Sequence, residues 1–253
     1  MLETQTQKTI SGPFIRLKLH AMTAAFEQQC LSTAAQALAF EERFAMLVDA
    51  ECHAREDRRL ARLIKQAHFK EPAALEDIDY RMPRGLQKTI IASLSSCDWV
   101  SRGQHLLITG PTGVGKTWLA CAFGMQAARR GLVVQYTRLP RLLEGLELAR
   151  ASGTLPKLRE QLARTSLLIL DDWAVAPIGD QGRQDLLEVI DDRVGNAAVI
   201  ITSQLPVADW HAFLGEATIA DAILDRVVHA AHRLELKGES MRKVRATVSS
   251  TTA

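Results

Sequence analysis

The octapeptide GPTGVGKT, Gly110 to Thr117, gathers residue types that can hold a polyphosphate. It fits the spacing G-x-x-x-x-G-K-[ST] in full, with Gly110, Pro111, Thr112, Gly113, Val114 and Gly115 forming a loop whose backbone N–H groups can close around phosphate oxygens. Lys116 supplies an ammonium for the β- and γ-phosphates, and Thr117 a hydroxyl for Mg²⁺. The helix expected to start there, with Trp118 in its first turn, would turn its positive end toward the same anion. Further along, LLILDDW delivers two acids, Asp171 and Asp172, at the end of an apolar run. Asp171 suits the far side of a Mg²⁺ site, and Asp172 stands where a carboxylate could polarise an attacking water. A third apolar run, AVIITSQLP, ends in Thr202, Ser203 and Gln204. Ser203 or Gln204 could position that water or sense the γ-phosphate, although SQLP could equally be a plain turn. Together these residues predict binding of ATP or GTP with Mg²⁺.

Such a site needs strands that end at one edge and helices that return the chain. HLLIT (105–109), LVVQYT (132–137), LLILD (167–171), AVIIT (198–202) and HRLEL (232–236) read as strands, four of them nearly continuous apolar runs of the kind covered on both faces. Helical stretches at 116–130, 139–164 with a break near Gly153, 180–193 and 218–230 separate them. The alternation predicts an α/β domain with a parallel sheet. Upstream, residues 13–69 are rich in Ala, Leu, Glu, Gln and Arg, with Leu60, Leu63, Ile64 and Ala67 at helical spacing. Pro72 and RMPRG (81–85) read as connecting segments. The expected organisation is a helical domain over 1–72, an ATPase domain over 73–245 and a disordered tail over 246–253.

Composition sets the bounds. The chain has 253 residues and a net charge of +2, so a nucleic-acid surface must be local. Cys30, Cys52, Cys97 and Cys121 stand far apart, without metal spacing, and predict reduced thiols. No signal peptide and no membrane-length apolar run are visible, so a cytoplasmic protein is expected.

From the phosphate loop through LLILDDW, IITSQLP, ILDRVV and GESMRK the chain resembles the IstB-type transposition helper ATPases of bacterial insertion sequences, members of the AAA+ class and relatives of DnaC helicase loaders. The resemblance runs from about Arg55 to Arg245. It implies an AAA+ core behind a small all-helical domain, with copies assembled into a ring or spiral that shares its nucleotide sites. Arg226 in ILDRV matches the arginine that reaches a neighbour's γ-phosphate, and Arg242 in GESMR the sensor that contacts nucleotide in its own subunit. Pairing of Arg226 with Asp221 or Asp225 on its own helix is the structural alternative. Two departures stand out. Asp172 replaces the Glu common in AAA+ ATPases and is one methylene shorter, which predicts slow turnover. Gln204 stands where relatives often carry Asn.

The resemblance also implies ATP-dependent, largely sequence-independent binding to duplex DNA, and a transposase partner. Two basic clusters could meet phosphates: Arg55, Arg58, Arg59, Arg62, Lys65 and Lys70 on the polar side of one helix, and Arg138, Arg141, Lys157, Arg159 and Arg164 between the second and third strands. Each could equally be a solvated face. Aromatic residues make up 5% of the chain, which offers no stacking platform for single strands. Asp185, Glu188 and Asp192 are expected in solvent, Trp173 and Trp210 in the core or at its rim, and His229 and His232 lack a third ligand. Three other readings stay open at this point: a helicase loader, a small-molecule kinase and a nucleotide switch that does not hydrolyse.

Overall fold

The computed structural model describes residues 12–229 and 231–241. The chain divides into two compact units, with the division between Arg62 and Leu63.

The first unit is helical. Helix α1 (His20–Leu31) is followed by a short turn of helix at Thr33–Gln36 and by the long helix α2 (Phe40–Ala67), which continues past the division. Nothing on Leu19 caps α1. Glu51 of α2 does so instead, accepting the Ala21 and Met22 N–H groups at 3.0 and 3.2 Å. A carboxylate at the positive end of a helix satisfies orphan donors and the dipole together. Arg55 and Arg58 close the cluster, each bonding Glu51 at 3.0 Å. Burial pushes the Glu51 carboxyl up, but Arg55, the two backbone donors and Arg58 overcome it and hold the pKa at about 2.

The second unit is a parallel α/β fold. Strands β1 (His105–Thr109), β2 (Val134–Arg138), β3 (Leu167–Trp173), β4 (Ala198–Ser203) and β5 (Ala231–Glu235) form one sheet in the order β2-β3-β4-β1-β5, every pairing parallel. Helix α3 (Lys88–Leu94) precedes it, and α4 (Lys116–Arg129), α5 (Leu139–Ala151), α6 (Leu155–Ala163), α7 (Asp180–Asp191) and α8 (Ala217–Val228) carry the crossovers. The continuous apolar sequences of β1, β3 and β4 follow from this order, since those three strands fill the middle of the sheet. Trp173 and Trp210, both fully buried, pack at 5.1 Å in the main core with Leu186, Val189 and Ile223.

Asp185 departs from expectation. It is buried beneath Arg150 and ion-paired to it, because the apolar face of α7 lies against α5 and carries Asp185 inward with Leu186 and Val189. Glu188 and Asp192 stay more exposed and share Arg159.

His105 opens β1. Its Nδ1 accepts the Val199 N–H at 3.2 Å, and its ring also hydrogen-bonds the backbone of Arg226. Burial first, and then the nearby Arg193 charge, push its pKa down to about 4. The unfolded chain, with histidine near 6.5, therefore binds the extra proton, so this stabilisation is present above pH 6.5 and lost as pH falls toward 4. Urea unfolding is expected to show stability lower by roughly 2 kcal/mol at pH 5 than at pH 7 from this group. His105→Gln should lack that loss; an equal loss in the variant would refute the assignment.

Candidate functional site

Four segments meet at the C-terminal edge of the sheet, where crossovers leave β1 toward β2 on one side and β5 lies on the other. The first is the loop between β1 and α4. A Cβ on Gly110 would lie 2.2 Å from the Leu236 carbonyl oxygen, so the chain following β5 presses directly on the loop. Gly115 caps α4 with φ +95°, a left-handed conformation that aims the first N–H groups of the helix into the loop. Val114 is buried, Pro111 and Thr112 are exposed, and Trp118 packs over Ala73 and Cys121. The largely buried Lys116 donates to the Gly110 and Pro111 carbonyls, both at 2.8 Å. Burial lowers its pKa, opposed by the charges of Asp171 and Asp172.

The second segment is the end of β3. The pairing with β4 slips by one residue between Leu170 and Trp173, and Asp172 has φ +59°. This bulge gives the two acids different surroundings. Asp171 is fully buried and accepts from Thr117 Oγ1 (2.8 and 3.0 Å), Tyr136 Oη (2.6 Å) and Thr202 Oγ1, with Lys70 Nζ 3.6 Å away. Burial pushes its pKa up, but these hydroxyls and the ammonium win and leave it below the usual carboxylate range. Asp172 is partly exposed and accepts from Arg138 Nε at 2.6 Å.

The third segment is the end of β4. Gln204 Oε1 accepts from Thr112 Oγ1 at 2.6 Å, which ties this strand end to the phosphate loop. The Ser203 hydroxyl is engaged by backbone, donating toward the Trp173 carbonyl at 3.3 Å and accepting the Leu205 N–H at 3.0 Å. Its observed bonds shape the turn, and Gln204 is the one that lies against the loop.

The fourth segment lies before β1. Lys70, Asp79 and Arg84 line the same cleft, of about 400 Å³, together with Thr117, Asp171 and Gln204. Arg84 is buried and donates to the Val114 carbonyl at 3.4 Å and the Asp79 carbonyl at 3.2 Å. Lys70 does not lie on the polar side of a helix, as the sequence suggests. Helix α2 ends at Ala67, and the chain beyond it turns Lys70 to Asp171. Sequence reasoning missed Arg84 and Tyr136. The signal for Tyr136 was the polar run Gln135, Tyr136, Thr137 in β2, out of keeping with the apolar central strands.

A hydroxyl and an ionised carboxylate side by side below the loop form a hard-oxygen donor pair. That suits Mg²⁺ arriving with a nucleotide, since this ion takes few protein ligands. Among the described residues no cluster of three or more His, Cys, Asp or Glu could hold a metal by itself.

Arg226 is not part of this cleft. Its Nε donates to Asp191 at 2.7 Å and its Nη1 to the Ala222 carbonyl at 2.9 Å, so neither Asp221 nor Asp225 is its partner. Those two acids instead meet His211 and His229. The Arg226 backbone is fastened to His105, at the start of β1, whereas the phosphate loop leaves the end of that strand. Four residue steps, about 13 Å at ~3.3 Å each, separate these edges. Arg226 therefore cannot serve its own loop. Arg242 and the 246–253 tail lie outside the described residues.

The expected DNA contacts divide. Arg55 and Arg58 hold Glu51, Arg138 holds Asp172, Arg159 holds Asp192 and Glu188, and Arg164 pairs with Glu160. Arg59 is exposed. Arg62, Lys65, Arg141 and Lys157 are exposed as well, with no ion pair among the described residues.

The parallel sheet, the phosphate loop and the acid that faces it define a P-loop nucleotide-binding protein of the AAA+ fold. The chain belongs to the family of IstB-like ATP binding proteins, whose model matches residues 14–249. It is 45% identical over 225 residues to the putative insertion sequence ATP-binding protein y4pL of Sinorhizobium fredii, covering 89% of this chain and 92% of that one. With the putative ATP-binding protein of insertion sequence IS1162 from Pseudomonas fluorescens it shares 49% over 202 residues, 79% and 87% of the two chains. Among solved structures, DnaI superposes with a TM-score of 0.56 at 20% identity, over 67% of this chain and 96% of that one. The DnaC helicase loader superposes with a TM-score of 0.51 at 20% identity, over 69% and 98%. These two likenesses are of fold. Among the described residues no helix is long and apolar enough to cross a membrane.

Proposed function

We propose that this protein is an ATPase that assembles with copies of itself on duplex DNA when ATP is bound, and there assists the transposase of its insertion sequence. The observation that carries the reading is the contact of Thr117 with the buried, ionised Asp171 below the phosphate loop. In this reading Lys116 exchanges its loop carbonyls for phosphate oxygens, and Thr117 and Asp171 hold Mg²⁺, which offsets phosphate charge when bound. Asp172 takes the proton of the attacking water and Gln204 orients that water. Arg226 of a neighbouring copy meets the charge that develops on the γ-phosphate. The distance of Arg226 from its own loop supports a shared site. Lys65, Arg141 and Lys157 in the ATPase unit, and Arg62 in the helical unit, are exposed and have no ion pair among the described residues, which leaves them available to a DNA backbone. A transposase partner is supported by the relatives, which are named as insertion-sequence proteins. The reading places the protein in the cytoplasm, with the DNA it serves.

The test is duplex DNA binding at fixed moderate salt. Cooperative binding with ATP and Mg²⁺ is expected, at least about tenfold weaker with ADP and in Lys116→Ala. Binding indifferent to nucleotide, or none, would sink the proposal.

A further inference from the structure

Asp171 is a buried carboxylate that, among the described residues, contacts three hydroxyls and one cation at hydrogen-bonding or ion-pair distance. Thr117, Tyr136 and Thr202 donate to it, and Lys70 is the cation within ion-pair distance of it among the described residues. Lys70 lines the cleft from the segment before β1, and its side chain is 43% exposed against a buried Asp171, so it reaches the carboxylate from the solvent side.

Its position is built into the fold. The segment after α2 is seated on α4 by Phe69, whose ring approaches so closely that a Cβ on Gly124 would lie 2.6 Å from it. Ala73 and Leu75 pack with Cys121 and Ala122 of the same helix, and the Lys70 and Glu71 backbone hydrogen-bonds Cys121. Glu76 pairs with Arg129 near the helix end at 2.8 Å. A lysine on so firmly held a strap is delivered to one place.

We propose that Lys70 and a divalent cation are alternative counter-ions of Asp171. Lys70 neutralises the carboxylate while no metal is bound, and it must leave when Thr117 and Asp171 take the metal. The freed ammonium then stands in the cleft beside the incoming phosphates, on a segment that leads directly back to α2. Occupation of the site is in this way felt by the strap. This inference rests on the Mg²⁺·ATP reading of the cleft. It adds to that reading a residue from outside the phosphate-binding pattern G-x-x-x-x-G-K-[ST].

The experiment measures binding of a fluorescent ATP analogue to the full chain across a Mg²⁺ titration, beginning in EDTA, for wild type, Lys70→Gln and Lys70→Arg. A half-exposed pair is screened, so the change is moderate. In Lys70→Gln, metal-free binding is expected to weaken, and the Mg²⁺ concentration for half-saturation to fall about three- to tenfold. Lys70→Arg keeps the charge and should follow wild type. Hydrogen exchange gives a readout independent of affinity. Amides 69–75 should exchange faster in wild type once Mg²⁺ and nucleotide are added, and Lys70→Gln should exchange faster before either is present. Superimposable Mg²⁺ titrations for wild type and Lys70→Gln would overturn the Lys70 role and leave the site intact. Wild-type binding that ignores Mg²⁺ would overturn both.

Discussion

Mixed Arg226→Ala and Lys116→Ala subunits are expected to hydrolyse ATP when neither variant does alone. Lys116→Ala removes the ammonium that the phosphate loop presents, and Arg226→Ala removes a guanidinium held at the other edge of the sheet by Asp191 and the Ala222 carbonyl. If each nucleotide lies between two copies, a junction made of one subunit of each kind contains an intact Lys116 and an intact Arg226. Arginine supplied in trans is worth on the order of a thousandfold in related phosphoryl transfers. Each variant alone should therefore fall at least about a hundredfold, and an equal mixture should recover a quarter or so of the wild-type rate under random assembly. Arginine suits this task because its charge is permanent and its fork can bind phosphate oxygens in pairs. No recovery at any ratio, with both variants folded, would refute the shared site, and full activity of Arg226→Ala alone would refute it more simply.

The second large effect concerns stability. Arg193→Met is expected to destabilise the ATPase unit by about 3 kcal/mol, lowering Tm by roughly 10 °C. Arg193 is 1% exposed and, among the described residues, forms no ion pair with a carboxylate. Its guanidinium donates to the Leu162 and Thr165 carbonyls, both at 2.9 Å, and to the Ala198 carbonyl at 2.7 Å. It thereby joins the end of α6 to the chain entering β3 and the start of β4. Burial lowers its pKa to about 10, which leaves it charged at neutral pH. Methionine keeps the apolar stem but leaves three buried carbonyls without that donor, a loss only partly offset by removing a desolvated charge. A Tm within about 2 °C of wild type would show that water replaces the guanidinium at little cost.

The sheet was legible in the sequence because burial on both faces writes strands as apolar runs and crossovers write helices at their own period. Boundaries moved where turn chemistry intervened. Strand β2 starts at Val134, two residues later than its apolar run suggests, because the turn at Gly131 occupies the intervening chain. The break expected near Gly153 is present, with α5 ending at Ala151 and Gly153 at φ +71°. The phosphate loop was equally legible, since its spacing is local. Charged side chains were not, because their partners lie far away in sequence. Lys70 reads as part of a helix surface and Arg138 as a DNA contact, whereas their partners are Asp171 and Asp172. Nothing in the sequence around Arg193 points to its backbone carbonyl partners. The bulge at Asp171 and Asp172 was also invisible, since it depends on register with β4 rather than on residue type.

The attachment of Arg226 to the far end of β1 has a consequence for timing. If the group that completes the site belongs to another copy, a molecule alone would hold its nucleotide without hydrolysing it. Specific activity should then rise with protein concentration and collapse on dilution. A length of duplex that gathers several copies raises their effective concentration for one another without touching the chemistry. On the shared-site reading, the lifetime of such an assembly would be set by its own crowding: interior copies would age together, while a copy at one end would lack the neighbour that starts its clock.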